Sequence, residues 1–292
     1  MDERRLIINA DDFGITDGVT RGIAEAIARG IVTSTSVMVN MPGWNDAAAR
    51  LRDASPACAY GLHLNLVAGR PLTTVPSLVD ARTGRFHALP RFVFLAIAGA
   101  LRPDDIAAEC SAQLERLRGT GICVSHADSH RHVHALPVVA RAMRAVLGGL
   151  PLRRPREALA RNPLDLLALA KKVALALALG PRPASDRSSS EVDHFVGVSL
   201  QDARDFAERL HQLVDSLDAG TTELMVHPGY VDQALIEADR YVRPRERELR
   251  ALLAPALRER LVANGVRLVT RTRTPAAPAP RPLYMAPVLD VR

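Results

Sequence analysis

An α/β fold, in a (β/α) barrel-like arrangement of about seven parallel strands, is predicted by three observations. Short β-branched runs alternate with helical stripes, polar residues gather where those runs end, and 292 residues suffice for one large barrel. The strand runs are RLIINA (5–10), VTSTSVMVN (32–40), AYGLHLNL (59–66), ICVSHAD (122–128), HFVGVSL (194–200), ELMVHP (223–228) and VRLVT (266–270).

Helical stripes fill the intervals. Val19, Ile23 and Ile27 share a face that Gly30 can end, and Ile106, Cys110, Leu114 and Leu117 share another that Gly119 ends. Ser199 and Asp202 have capping-box spacing ahead of Phe206, Leu210, Val214 and Leu217. Residues 244–264 read as helical with a break near Pro255. Residues 150–192 mix Pro, Arg and Ser with a Leu/Ala pattern and read as an insertion over one rim. Its apolar run at 164–179 reads as an ordinary helix facing the core, the alternative being a cover for a lipidic aglycone. Residues 1–271 form a single catalytic domain in this reading, and 272–292 a Pro-rich extended tail.

Composition narrows the function classes. The hydrophobic fraction of 48% supports a sizeable core. Cys58, Cys110 and Cys123 are odd in number and scattered, which fits neither a disulfide framework nor a thiolate metal site and points to a reducing compartment. The start, MDERRLIINADD, lacks the long apolar core of a secretory signal, and the tracts at 92–101 and 164–180 are too short or broken by Lys171 and Lys172 for a membrane span. A cytoplasmic protein with no transmembrane segment is expected. The net charge of +6 invites a nucleic-acid reading, but the arginines are spread along the chain and aromatics make up only 4%, so no nucleic-acid partner is expected.

Chemistry collects at the strand ends. Asp11 and Asp12 follow the first run, His63 and Asn65 lie late in the third, Asp128 and His130 end the fourth, and His227 ends the sixth. Strand C-termini of a parallel barrel converge on one face, so residues remote in sequence can share a pocket. Adjacent carboxylates repel unless a positive group lies beside them, and a divalent cation would answer that. With Asp12 on the metal, Asp11 is left to accept a proton from water; the competing reading is a solvated turn with Asp as a helix cap. SHADSHRHVH (125–134) holds four of the nine histidines. Those at 130, 132 and 134 would drift roughly 6–7 Å apart per step in an extended segment, so they cannot share one ion without a turn. The economical set is one histidine of this cluster with His63 and Asp12, a donor set suited to zinc, iron or manganese and, with waters, magnesium. Asp128 would orient an imidazole, His132 would lie beside substrate, and His227 would serve as general acid. A solvated His-rich loop is the alternative.

NADDFG, GIVTSTSVMVN, GLHLNL, HADSHRHVH and HPGY, in that order, resemble the YdjC/ChbG family of carbohydrate deacetylases. The resemblance runs from Leu6 to Val269 and includes Tyr241, Arg245, Glu248 and Leu249. It implies a deacetylase/glycoside hydrolase-type barrel that removes the N-acetyl group from an N-acetylglucosamine-containing carbohydrate. It implies one divalent ion, Mg2+ or Zn2+, on Asp12, His63 and His130, with Asp11 as base and His227 as acid. The substrate would be a small amino sugar, either chitooligosaccharide-like or, as in one branch, a glucosamine-bearing hopanoid lipid; a homodimer is left open. Two rivals stand beside it: a non-haem iron oxygenase with two histidines and one carboxylate, and a non-catalytic sugar-binding or metal-storage protein.

Overall fold

The computed structural model describes residues 3–159, 166–180 and 191–272. The Pro-rich tail from 273 and parts of the expected insertion, 160–165 and 181–190, lie outside the described residues.

Seven strands form one sheet: β1 (Arg4–Phe13), β2 (Ser34–Val37), β3 (Ala59–Leu64), β4 (Val124–Ser129), β5 (His194–Val196), β6 (Gly220–Val226) and β7 (Val266–Leu268). Every pairing is parallel, in the order β4-β3-β2-β1-β6-β5. The sheet is therefore an open half-barrel rather than a closed one. One edge of β1 is shared, since Arg4–Leu6 pairs with β7 while Asn9–Phe13 pairs with β2.

The helices are α1 (Asp17–Ala28), α2 (Trp44–Arg52), α3 (Leu89–Ile97), α4 (Pro103–Arg118), α5 (Pro137–Leu147), α6 (Leu166–Leu179), α7 (Phe206–Asp215), α8 (Gln233–Ala238), α9 (Arg243–Leu253) and α10 (Pro255–Ala263). The expected break near Pro255 falls between α9 and α10. The capping-box expectation is corrected: α7 begins at Phe206, and Ser199 instead donates from its hydroxyl to the buried carboxylate of Glu157. Backbone N–H groups of Gly197 and Ser199 also donate to Glu157, so this corner is claimed by a tertiary partner rather than by a helix end.

Alternation along the strands explains where the site sits. Leu6, Ile8 and Ala10 join Val37, Leu62, Leu64 and Leu224 in the hydrophobic core. The alternate positions Asn9, Asp11, Ser34, Ser36, His63, Asp128 and Glu223 are buried and polar. With a side-chain period of two, one face of the sheet packs apolar residues under helices and the other is a polar interior.

The segment expected to open the rim insertion begins inside the sheet. Residues 151–153 run beside β4, with the Ala127 N–H donating to the Pro151 carbonyl at 2.9 Å and the Arg153 N–H to the Ala127 carbonyl at 2.9 Å. Arg153 thereby enters the polar interior. Further along, α6 buries Ala168 and Lys172 while Leu166, Leu167 and Leu177 are exposed, so the expected core-facing stripe points outward. The Lys172 ammonium donates to the carbonyls of Ala158 and Leu159, which sets that rotation.

Candidate metal centre and active site

In a regular strand Asp11 and Asp12 would point to opposite faces. The pairing of β1 with β2 shifts register between Ala10 and Phe13, and Asp12 takes φ 72°, a left-handed conformation that Asp tolerates better than bulkier residues. Both carboxylates thus turn into one buried centre, each 1% exposed. That excludes the solvated-turn reading, and the cap of α1 falls to Thr16, whose hydroxyl accepts from the Val19 N–H.

His63 and Asp128 lie opposite one another on β3 and β4. Nδ1 of His63 is 2.6 Å from an Asp128 oxygen, and Nε2 is 3.1 Å from Asp12 Oδ1. The strand ends at Ser129, and His130–Ala135 form a tight turn in which Arg131 and His132 adopt φ 57° and 54°. This turn brings His130 alone of its neighbours to Asp12, with Nδ1 3.0 Å from the same Oδ1. Donor atoms of Asp12, His63 and His130 all lie within 4.8 Å of one another. Three residues with left-handed backbone, Asp12, Arg131 and His132, surround this centre, the kind of strain that folds keep at working sites.

The other histidines of the cluster diverge. His126 lies beneath Gly61, its Nδ1 2.8 Å from the Ser125 hydroxyl and its Nε2 3.3 Å from that of Ser36. A Cβ at Gly61 would fall 2.4 Å from the His126 ring, so glycine in AYGLHL makes room for it. His134 Nδ1 is 2.6 Å from the Ser129 hydroxyl. His132 is half-buried, edge-on to His134 and Phe195, within electrostatic range of Asp11 and His227.

His227 ends β6 as expected, its ring 5.2 Å from that of Tyr241. Its backbone N–H donates to Glu248 at 2.6 Å, and the Tyr241 hydroxyl donates to the other Glu248 oxygen at 2.5 Å. Burial pushes Glu248 up to about 7 despite these donors.

Two arginines complete the centre, and the roles sketched from strand ends omit both. Arg153 donates to both oxygens of Asp11 at 2.6 and 2.7 Å, contacts Asp128 Oδ2 at 2.7 Å and donates from Nε to Glu223 at 2.8 Å. Arg245, fully buried, donates to Asp12 Oδ2 at 2.6 Å and to Asp239 at 2.9 Å. Asp239 also pairs with Arg131. Asn9 donates to Asp11 at 2.8 Å and Ser36 to Asp128 at 2.7 Å. The need for such cations is legible in the surplus of strand-end carboxylates, but nothing in the pattern around position 153 marks which arginine supplies one.

The electrostatics follow from these contacts. Burial alone would raise both aspartates, yet Arg153 holds Asp11, and Arg245 with His130 holds Asp12, well below the usual carboxylate range. Burial opposes charge on His63, but Asp128, with Asp12 and Asp11, outweighs it and pushes the imidazole up to about 10. Burial carries His227 down to about 4, only partly offset by Asp12 and Asp11, and His132 down to about 3, helped by Arg153. His126 and His134 are held well below the ordinary histidine value, by burial first.

Fold and site together define an α/β half-barrel protein with a buried carboxylate–histidine centre at its strand ends. The profile of the family described as YdjC-like protein matches residues 5–263, and the chain belongs to that family. Among curated relatives, a carbohydrate deacetylase of Geobacillus stearothermophilus is 36% identical over 270 residues, 91% of this chain and 96% of its own. A chitooligosaccharide deacetylase of Yersinia pestis (strain Pestoides F) is 35% identical over 271 residues, 91% of this chain and 97% of its own. A solved structure from Enterococcus faecalis V583, described only as a candidate cellobiose-phosphate cleavage protein, superposes with a TM-score of 0.72 at 28% identity, covering 92% of this chain and 98% of that one.

Proposed function

We propose that this protein is a metal-dependent carbohydrate deacetylase that hydrolyses the N-acetyl group of an N-acetylglucosamine-containing carbohydrate and releases acetate. The substrate class is chitooligosaccharide-like or a glycolipid. One observation carries the reading: donor atoms of Asp12, His63 and His130 converge within 4.8 Å beside a second, ionised carboxylate, Asp11. Relatives named deacetylases over 91% of the chain favour hydrolysis over the oxygenase and the non-catalytic readings.

The donor set fits a divalent ion. Asp12 Oδ1 is free of Arg245, which takes Oδ2, and Asp128 fixes the His63 ring so that Nε2 faces Asp12. Two imidazoles and one carboxylate suit zinc, and with added waters magnesium. Asp12, His63 and His130 would hold the ion, which when bound supplies Lewis-acid polarisation of the acetyl carbonyl and acidifies water.

The chain's own groups do the rest. Asp11 stays ionised and accepts the water's proton, while Arg153 and Asn9 hold its oxygens in place. His227 is neutral at rest, so the proton that Asp11 takes from the water is the one His227 relays to the leaving amine, which returns both groups to their starting states. Glu248 and Tyr241 fix the end of β6 that carries it. His132 and Asp128 are assigned to substrate contact and ligand orientation. We assign residues 1–271 to one catalytic domain, supported by a family match over 5–263. Scattered cysteines support a cytoplasmic location, and no helix among the described residues is long and apolar enough to cross a membrane.

The test is acetate release from N,N′-diacetylchitobiose by protein treated with chelator and then supplied with Mg2+, Zn2+, Mn2+ or Co2+. Acetate that vanishes with chelator and returns with one ion is expected. Acetate release unaffected by chelator refutes the metal dependence, and no release from this or a lipid-linked glucosamine substrate refutes the deacetylase.

A further inference from the structure

Beside the Asp12 centre lies a second group with metal-ligand geometry. Donor atoms of Asp11, His63 and Asp128 also lie within 4.8 Å of one another, all three residues buried. His63 belongs to both groups, facing Asp12 through Nε2 and Asp128 through Nδ1. Two carboxylates and an imidazole set beside the residues that would hold a first ion are a donor set that a two-metal hydrolytic site could use.

Here a side chain already stands against those carboxylates. The Arg153 guanidinium is fully buried, and its NH1 lies 2.6 Å from Asp11 Oδ2 and 2.7 Å from Asp128 Oδ2. NH2 takes the other Asp11 oxygen at 2.7 Å, and Nε takes Glu223 at 2.8 Å. The Phe195 ring closes over the guanidinium at 5.7 Å. Without this cation, no other arginine among the described residues reaches Asp11 or Asp128, and Arg271 reaches only Glu223, at 2.5 Å. Buried carboxylates left that way call strongly for a positive charge. Arg245 treats Asp12 differently, binding one oxygen and leaving the other to the histidines.

We propose that Arg153 stands as a fixed cation in the place of a second metal ion, holding the centre to one ion and orienting Asp11 directly and His63 through Asp128. The proposal rests on the metal-dependent reading above. Arg153 is a positioning residue: the planar fork fixes both Asp11 oxygens at once, a geometry that a single ammonium does not reproduce. Its entry from the strand-like segment 151–153, pinned to β4 by the bonds at Ala127, gives it the rigidity of the sheet.

The experiment counts Mn2+ and Zn2+ per chain after equilibrium dialysis of wild type, Arg153→Ala, Arg153→Gln and Arg153→Lys, with thermal unfolding as a check of folding. One ion is expected in wild type and in Arg153→Lys, and two in Arg153→Ala and Arg153→Gln. Added guanidinium should expel the second ion from Arg153→Ala. For Arg153→Lys, kcat should fall about tenfold or more with KM unchanged, a loss on the scale of modest misplacement. One ion in folded Arg153→Ala or Arg153→Gln overturns the proposal, as does Arg153→Lys with wild-type kcat. Should neither neutral variant fold, the Arg153→Lys kcat decides. Wild type that holds no ion at all sinks the metal-dependent reading and this inference with it. One ion in both wild type and the neutral variants sinks the inference alone.

Discussion

Asp11 and Asp12 are consecutive, equally buried and each bound by an arginine, yet the two sides of the centre they create differ. On the Asp11 side Arg153 occupies both carboxylate oxygens and reaches on to Asp128 and Glu223, so that side is saturated with positive charge. On the Asp12 side Arg245 takes one oxygen, and the other looks toward His63 and His130. The lesson is that the number of oxygens an arginine claims, rather than burial or position, divides the roles. A carboxylate clamped at both oxygens is kept ionised and aimed, while one clamped at a single oxygen keeps a lone pair for an ion.

Variants can break that division. The largest effect is expected from Asp12→Ala, which removes the shared donor: bound ion should disappear and acetate release fall to background, and a variant that still binds one ion would disprove Asp12 as a ligand. Asp11→Asn should retain the ion and lose activity of the order of 10²-fold, the scale of general-base catalysis, and near-native turnover would refute that role. Arg245→Ala leaves Asp12 buried without its guanidinium and Asp239 with Arg131 alone, and should lower stability in urea by about 3–5 kcal/mol. Ser36→Ala, which takes one donor from Asp128, should cost about 1 kcal/mol and leave the ion in place.

Acid sharpens the comparison with a sign. In the unfolded chain His132 and His227 protonate near their ordinary value of 6.5, whereas in the folded protein burial holds them neutral down to about 3 and about 4. Their contribution is therefore complete above that ordinary value and is lost as pH falls below it. Asp11 and Asp12, held low, lose theirs in the same direction at lower pH. His63, raised to about 10, has the opposite sign but stabilises fully below 6.5, so it adds no slope there. Glu248, raised to about 7, gains stability as pH falls through 7 and offsets one of the histidines. His126 and His134, also held low, add to the loss in acid. Urea midpoints of chelator-treated protein should fall from about pH 7 to about pH 5, and flat or rising midpoints would contradict the assignment of neutral buried histidines.

Much of this was legible in the chain. Alternation in RLIINA and its counterparts places the strands, and polar residues at their ends place Asp11, Asp12, His63, Asp128, His130 and His227 in one neighbourhood. What was hidden depends on contacts distant in sequence. The bulge that turns Asp12 inward leaves no mark on a periodicity of two, because it arises from pairing with β2. Arg153 stands among other arginines in a stretch without a period, and its partners are up to 142 residues away. The outward rotation of α6 follows from Lys172 reaching carbonyls of the preceding segment, which a hydrophobic stripe cannot encode.

The divided edge of β1 has a consequence for how the molecule is made. β1 waits for β6 and β7, more than 200 residues further along the chain, before its pairing is complete. The same wait applies to the aspartates at its end, whose guanidinium partners arrive 142 and 233 residues behind them. The centre therefore cannot be completed before α9 is made, and a nascent chain stopped short of α9 would carry Asp12 without its arginine. Such long-range closure predicts slow refolding, with the recovery of metal binding among the last signals to return.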